Sequence, residues 1–163
     1  MNKYKIIATS IANVYKKNSF KSEVITQGLI WEKLEVLEKK GKWNKIRQWD
    51  NYIGWMHEFY LIDAEDYITK KLNHKFIWYI INKRIVKIKG INNNSSIHLS
   101  FGTIIPIIDK KNKNYYISIL PDGKKYCIKK KFVTQINKKL TIEDIVCLAY
   151  ENIGAPYIWG GIS

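Results

Sequence analysis

Trp43-Asn44-Lys45-Ile46-Arg47-Gln48-Trp49-Asp50-Asn51 aligns without a gap on Tyr115-Tyr116-Ile117-Ser118-Ile119-Leu120-Pro121-Asp122-Gly123, 72 residues further along the chain. Both stretches alternate and then end in a turn pair, Asp50-Asn51 or Asp122-Gly123, whose second residue tolerates positive φ. The register continues on both sides. Met56 falls on Ile128, and with one residue added to the second hairpin Glu32 to Leu37 falls on Thr103 to Ile108. A shared offset of this kind predicts an internal duplication of one structural unit.

Within the first copy, Val24-Ile25, Leu34-Glu35-Val36, Trp43 to Arg47 and Ile53 to Met56 carry the period-two texture of half-buried strands, with Lys39-Lys40-Gly41-Lys42 as a further turn. About five short strands between Ile6 and Ile62 predict a small, strongly bent barrel, because a flat sheet of that size leaves its edges uncovered. The apolar stretch Ile6 to Ala12 is short for a secretory leader and runs straight into Asn13-Val14-Tyr15-Lys16-Lys17, so it is expected to be a strand. Phe76 to Ile136 repeats the plan, with Asp63 to Lys71 as linker and Asn92 to Ser96 as a polar loop.

The texture changes after Asn137. Thr141 followed by Glu143 and Asp144 is a helix start, with a hydroxyl cap and carboxylates at the positive end of the dipole. Ile142, Ile145, Val146, Ala149 and Ile153 form an apolar stripe, and Gly154 and Pro156 end it. One helix and one turn cannot bury a core, so this stripe is expected to lie exposed.

The 163 residues carry 28 basic and 14 acidic side chains, a net charge of +14. Such a chain accumulates on polyanions. Only Arg47 and Arg84 are arginines, however, and the inflation of lysine, isoleucine and asparagine is what an A+T-rich coding sequence produces. Without arginine forks, sequence-specific nucleic-acid recognition is not expected. No run approaches the roughly 18 apolar residues of a spanning helix, so no membrane span is expected. Cys127 and Cys147 stand in no metal or redox spacing, and His57, His74 and His98 are scattered, so neither metal nor cofactor is expected. Each cysteine sits among apolar neighbours and reads as a small buried hydrophobe.

Ala12-Asn13-Val14-Tyr15, Ser22-Glu23-Val24, Trp31-Glu32-Lys33-Leu34-Glu35-Val36-Leu37, Gly41 to Arg47 and Gly54-Trp55-Met56 together resemble a bacterial SH3-like domain of the kind that accompanies cell-wall hydrolases. Leu99-Ser100-Phe101-Gly102-Thr103 and Leu120-Pro121-Asp122-Gly123 resemble the second such domain found in tandem in some of those enzymes. Thr141 to Ile145, Ala149-Tyr150 and Gly154-Ala155-Pro156-Tyr157-Ile158-Trp159-Gly160-Gly161 are similar to the opening of the NlpC-type cysteine peptidase domain.

The resemblance implies a mainly β chain. Two tandem SH3-like β-barrels, residues 1–66 and 67–137, would precede the first helix and turn, 138–163, of an α+β papain-like NlpC-type domain. It implies hydrolysis of the γ-D-glutamyl bond to a diamino acid in murein stem peptides, by a cysteine in an Asp-Cys-Ser-Gly stretch after the tyrosine. The sequence reaches Ser163 before any such stretch. A truncated fragment or shortened product, inactive by itself, is therefore expected. Cys127 aligns with Trp55 on a strand and Cys147 lies mid-helix, so neither suits a thiolate nucleophile, which needs a neighbouring imidazole.

Tyr157 is carried over as a substrate-binding residue and Trp159 as packing. In tandem-barrel relatives the first SH3-like domain helps select a free N-terminal amine. Glu32, Tyr52 and Glu58 are the candidates for that role, since a carboxylate and an aromatic face both suit an ammonium group. Trp43 and Trp55 are expected to be more buried than Trp49 and Tyr52. Expected partners are murein stem peptides or cell-wall fragments. The cytoplasm is the expected location, with the cell wall or exterior as alternatives. Lys129-Lys130-Lys131, with Lys124-Lys125 and Lys138-Lys139, forms the densest positive patch, either a solvated face or a screened hold on anionic wall polymer. The alternative function is a non-catalytic module binding wall peptide or glycan.

Overall fold

The computed structural model describes residues 3–64, 76–92, 94–136, 141–150, 152–154 and 161. Two compact units divide between Lys75 and Phe76. The first contains β1 (Tyr4–Ile7), β2 (Ile11–Tyr15), β3 (Val24–Leu29), β4 (Lys33–Lys40), β5 (Trp43–Arg47), β6 (Ile53–His57) and β7 (Leu61–Asp63). The second contains β8 (Ile77–Ile81), β9 (Ile85–Gly90), β10 (Ser96–Ser100), β11 (Ile104–Lys110), β12 (Tyr115–Ile119), β13 (Lys125–Lys129) and β14 (Val133–Gln135). Helix α1 (Ile142–Tyr150) follows. The predicted boundaries after residues 66 and 137 fall outside the described residues.

The duplication is present in the strand pairing. One sheet runs β3-β2-β6-β5-β4-β1-β7 and the other β10-β9-β13-β12-β11-β8-β14, the same order position for position. Trp43 faces His57 across β5 and β6, and Tyr115 faces Lys129 across β12 and β13. A single 3₁₀ turn follows each second strand, Glu58–Tyr60 and Lys130–Phe132. Its first N–H donates back to the preceding hairpin loop, Glu58 to the Lys42 carbonyl at 2.8 Å and Lys130 to the Asn114 carbonyl at 2.9 Å.

Two expectations change. Each unit has seven strands, because β1 and β7 span only four and three residues, too short for alternation to reveal them. Ile6 to Ala12 is not one strand: β1 ends at Ile7 and β2 begins at Ile11. Neither ladder closes on itself, so what the strand count suggested as barrels are two open sheets, with β3 and β7 or β10 and β14 at the margins.

Alternation puts one face of each sheet inside. In the first unit Ile7, Ala12, Val14, Leu34, Ile46 and Met56 are fully buried together. Their counterparts include Ile81, Ile88, Ile105 and Ile128. At the position matching Ile46 the second unit has Ser118, whose hydroxyl donates to the Pro106 carbonyl at 2.8 Å. Gly54 makes room in the first core: a Cβ there would stand 2.5 Å from Val14 Cγ1 and 2.9 Å from the Tyr15 carbonyl oxygen.

Trp43 and Trp55 are half-buried, while Trp49 and Tyr52 are exposed, as expected. The cause differs for Trp43. It lies on the face opposite Ile46, and its cover is Phe20, with ring centroids 4.8 Å apart. The inward position is the adjacent Asn44, fully buried with neither amide atom partnered.

Helix α1 opens with reciprocal capping. The Asp144 N–H donates to Thr141 Oγ1 at 3.1 Å and the Thr141 N–H to Asp144 Oδ2 at 3.0 Å. Its apolar stripe is exposed at Ile142, Ile145, Val146 and Ile153. Cys147 is therefore exposed and not buried, since no residue of its helix is buried among the described residues, and Cys127 is half-buried on β13. Ile46→Ala should cost about 2–5 kcal/mol by opening a cavity, whereas Ile145→Ala should change stability by less than about 0.5 kcal/mol. Urea denaturation of the two variants measures the contrast. Among the described residues no helix is long and apolar enough to cross a membrane, and no group of histidine, cysteine or carboxylate side chains is placed to hold a metal.

Candidate functional site

Leu29-Ile30-Trp31-Glu32 joins β3 to β4 as a tight turn, closed by the Glu32 N–H donating to the Leu29 carbonyl at 3.1 Å. Two further bonds tie it to β1: the Trp31 N–H donates to the Ile7 carbonyl at 3.0 Å, and the Ile7 N–H to the Glu32 carbonyl at 3.0 Å. The second unit reproduces all three through Thr103 to Ser100, Gly102 to Ile81 and Ile81 to Thr103. At the third turn position the backbone is left-handed in both, with φ of 82° at Gly102 and 75° at Trp31.

Glycine occupies that conformation without steric cost. A tryptophan there is an outlier that costs on the order of 1–3 kcal/mol and persists only where its surroundings hold it. Trp31 is held by burial, at 8% exposure. The duplicate thus shows that the turn itself calls for glycine, and that the first unit departs from this beside Glu32.

The Glu32 side chain is half-buried against Gln48, whose Nε2 donates to the Gln27 carbonyl at 2.9 Å and to Glu32 Oε2 at 3.4 Å. Gln48 is buried, and its Oε1 has no partner. Gly28 admits this pair, since a Cβ there would meet Ile7 Cδ1, with Glu32 Oε2 and Gln48 Nε2 at 3.2 and 3.3 Å. Burial pushes the Glu32 carboxyl above its usual 4.5, against the pull of hydrogen bonds from the Leu29 backbone and Gln48, and the Asp50 charge adds to the rise. In the second unit Thr103 and Leu120 stand where Glu32 and Gln48 do, so the acid–amide pair belongs to the first unit alone.

Gln48 also starts the β5–β6 turn. Its N–H donates to the Tyr52 carbonyl at 2.9 Å, the Asn51 N–H donates to the Gln48 carbonyl at 3.1 Å, and the Tyr52 N–H donates to Asp50 Oδ1 at 3.2 Å. Glu32 and the turn carrying exposed Tyr52 are thereby joined at one end of the sheet. Glu58 lies at the other end. The five residues of β6 lie between it and Tyr52, so six strand rises, about 20 Å, separate the two. There it pairs with Lys39 at 3.5 Å, near the Phe20, Trp43 and His57 rings. Tyr157 lies outside the described residues. Trp31 and Gln48 were not anticipated as site residues. Extending the alignment of Glu32 on Thr103 by one residue sets Trp31 over Gly102 and holds the signal, a bulky residue where its duplicate has glycine.

Cys127 Sγ lies 3.3 Å from Lys111 Nζ, and Cys147 is exposed on α1.

Fold and site together define a mainly β protein of two copies of one strand plan, with an acidic site in the first copy only. No family model matches the chain. It is 27% identical over 151 residues to a γ-D-glutamyl-L-lysine dipeptidyl-peptidase of Bacillus cereus and 30% identical over 146 residues to one of Bacillus subtilis. Each match takes in 85% of this chain but only 45% and 47% of those relatives. The fold matches an NlpC/P60 family protein from Bacillus cereus with a TM-score of 0.83 and 19% identity, over 97% of this chain and 66% of that one. It also matches an NlpC/P60 endopeptidase from Photobacterium damselae subsp. piscicida with a TM-score of 0.68 and 14% identity, over 98% of this chain and 39% of that one. The chain is thus similar in sequence to dipeptidyl-peptidases of which it spans about half the length, and similar in fold to NlpC/P60 proteins.

Proposed function

We propose that this chain is the substrate-positioning part of a murein peptide hydrolase acting on the γ-D-glutamyl bond to a diamino acid, and that its two units are tandem SH3-like modules. The observation that carries this reading is the strained Trp31 turn, which offers Glu32 beside Gln48 in the first unit while the duplicate keeps glycine and no acid. A partly desolvated carboxylate next to an unpartnered amide oxygen suits a peptide's terminal ammonium, a donor of three charged hydrogen bonds. Tyr52, on the turn that Gln48 starts, supplies an aromatic face at the same end. Glu58 in this reading serves its ion pair with Lys39. Hydrolysis is assigned to a thiolate outside these 163 residues, because among the described residues no hydrogen bond joins Cys127 or Cys147 to an imidazole that could activate it.

Titration of the 163-residue chain with L-alanyl-γ-D-glutamyl-L-lysine and with its N-acetylated form tests the reading. Tighter binding of the free amine by at least about tenfold is expected, the worth of one charge-assisted contact. Cleavage should be absent and should stay absent in Cys127→Ala and Cys147→Ala. Cleavage by the parent that either variant abolished would make that cysteine the nucleophile. Equal affinity for the two peptides would leave a wall-binding module without an amine site.

A further inference from the structure

We propose that the second unit carries a basic pocket that binds a phosphodiester-linked anionic polymer, the chemistry of a polyol-phosphate chain in the cell wall. The choice of a wall polymer rests on the reading above. The pocket is a concavity of about 440 Å³ lined by Lys113, Asn114, Tyr115, Lys129, Lys130 and Lys131. Four ammonium groups thus share one hollow with no carboxylate in its lining. None of the four forms an ion pair with a described residue.

The duplication supplies an internal control. Lys130 opens the 3₁₀ turn after β13 just as Glu58 opens the one after β6, and both N–H groups make the same bond to the hairpin loop. In the first unit Glu58 at that position neutralises Lys39 at 3.5 Å. In the second unit the acid is replaced by lysine, and its neighbours His57 and Phe59 by Lys129 and Lys131. The sheet plan does not require this charge, since its copy does without it.

Aromatic rings hold the lysines in place. Lys130 Nζ lies 4.8 Å from the Tyr116 ring centroid, and Lys129 and Lys131 Nζ lie 5.8 and 5.4 Å from that of Phe132. The concavity at Lys16, Lys17 and Lys21 differs, because Glu23 lines it and pairs with Lys16 at 3.1 Å. An open pocket lined by the exposed Lys113, Lys129 and Lys131 and the half-buried Lys130 lacks the enclosing donors that a single small phosphate needs. It gains affinity by releasing counterions from a polymer that presents several charges at once. The near absence of arginine disfavours a nucleic acid as the occupant.

Binding of poly(glycerol phosphate) to the full chain, followed by titration at several salt concentrations, tests the proposal. Log affinity should fall against log salt with a slope of about −2 to −3, as for three to four neutralised phosphates. K129Q/K130Q/K131Q should lose at least tenfold in affinity, while K16Q/K17Q/K21Q should lose less than twofold. The arginine triple K129R/K130R/K131R, which keeps the charge, should retain binding. Inorganic phosphate at equal charge concentration should not compete, and an oligo(dT) of matched charge should bind more weakly. Equal loss in the two glutamine triples, full retention in K129Q/K130Q/K131Q, displacement by inorganic phosphate, or oligo(dT) binding as tight as the polymer would each overturn it. Free-amine peptide affinity is read on the same variants and should not move, so a failure of the peptide site and a failure of this pocket are separate results.

Discussion

Glu32→Gln is expected to weaken binding of a free-amine murein peptide by about ten- to a hundredfold, since a hydrogen bond to a charged group contributes about 1.5–3 kcal/mol. The N-acetylated peptide should bind parent and variant alike. The same substitution should raise stability at neutral pH. Burial raises the Glu32 carboxyl above 4.5, so the folded chain keeps a proton that the unfolded chain has already released. In the window from 4.5 up to the folded value the folded state binds more protons, and stability falls as pH rises through it. Above the window the cost is complete, and below it the cost vanishes. Glutamine carries no such cost, so the variant should melt above the parent at pH 7 and lose that advantage under acid conditions. Peptide affinity should run the other way, rising with pH through the same window as the carboxylate forms. Calorimetric titration and thermal melts from about pH 4 to pH 8 read both effects. A variant with undiminished affinity for the free amine would remove Glu32 from the site.

Trp31→Ala should destabilise the chain by about 3–5 kcal/mol, the usual cost of emptying a large buried aromatic site. Alanine keeps a Cβ in the left-handed backbone, so the strain stays. Trp31→Gly empties the same site but removes that strain, and should therefore be more stable than the alanine variant by about 1 kcal/mol. The duplicate offers the reverse experiment. Gly102→Ala adds a Cβ that meets nothing within 4 Å at φ +82°, so its cost, about 1 kcal/mol, comes from the backbone alone. Urea midpoints of the three variants measure this cycle. A glycine variant less stable than the alanine variant would show that Trp31 is not strained. The expected pattern is the one seen where binding residues are held at the expense of stability, with an outlier fixed by its packing beside the group it positions.

Much of the architecture was legible before any coordinates. Gly41 and Asn51 take the positive φ read from their hairpins, at 57° and 68°, because a tight turn leaves few residue types able to adopt it. The offset of 72 residues holds from β5 and β12 through to β7 and β14, because strand pairing ties each residue to a partner, and an insertion would turn the following side chains to the other face. Thr141 and Asp144 cap their helix as a local motif can, without help from the rest of the chain. The short outer strands were not legible, since three or four residues carry too little alternation. Alternation sets Asn44 on the Ile46 face of β5, but that this face with its amide is the buried one is decided by the packing of the sheet.

The amino-acid sequence by itself determined the repeat, the turns, the helix cap and the acidic residue at position 32, all properties of neighbouring residues and of a pattern repeated along one chain. The tertiary structure decided which of these meet. Gln48 reaches Glu32 at a sequence separation of 16 only because β3, β4 and β5 converge at one end of a sheet, and Gly28 leaves the space for it. Trp31 is an outlier by its own positive φ, and the turn at Gly102 shows the residue type that the same hydrogen bonds accept without strain. Glu58 is a strand length away for the same reason: adjacent ends of an antiparallel pair are close, opposite ends are not, and spacing along the sequence records neither.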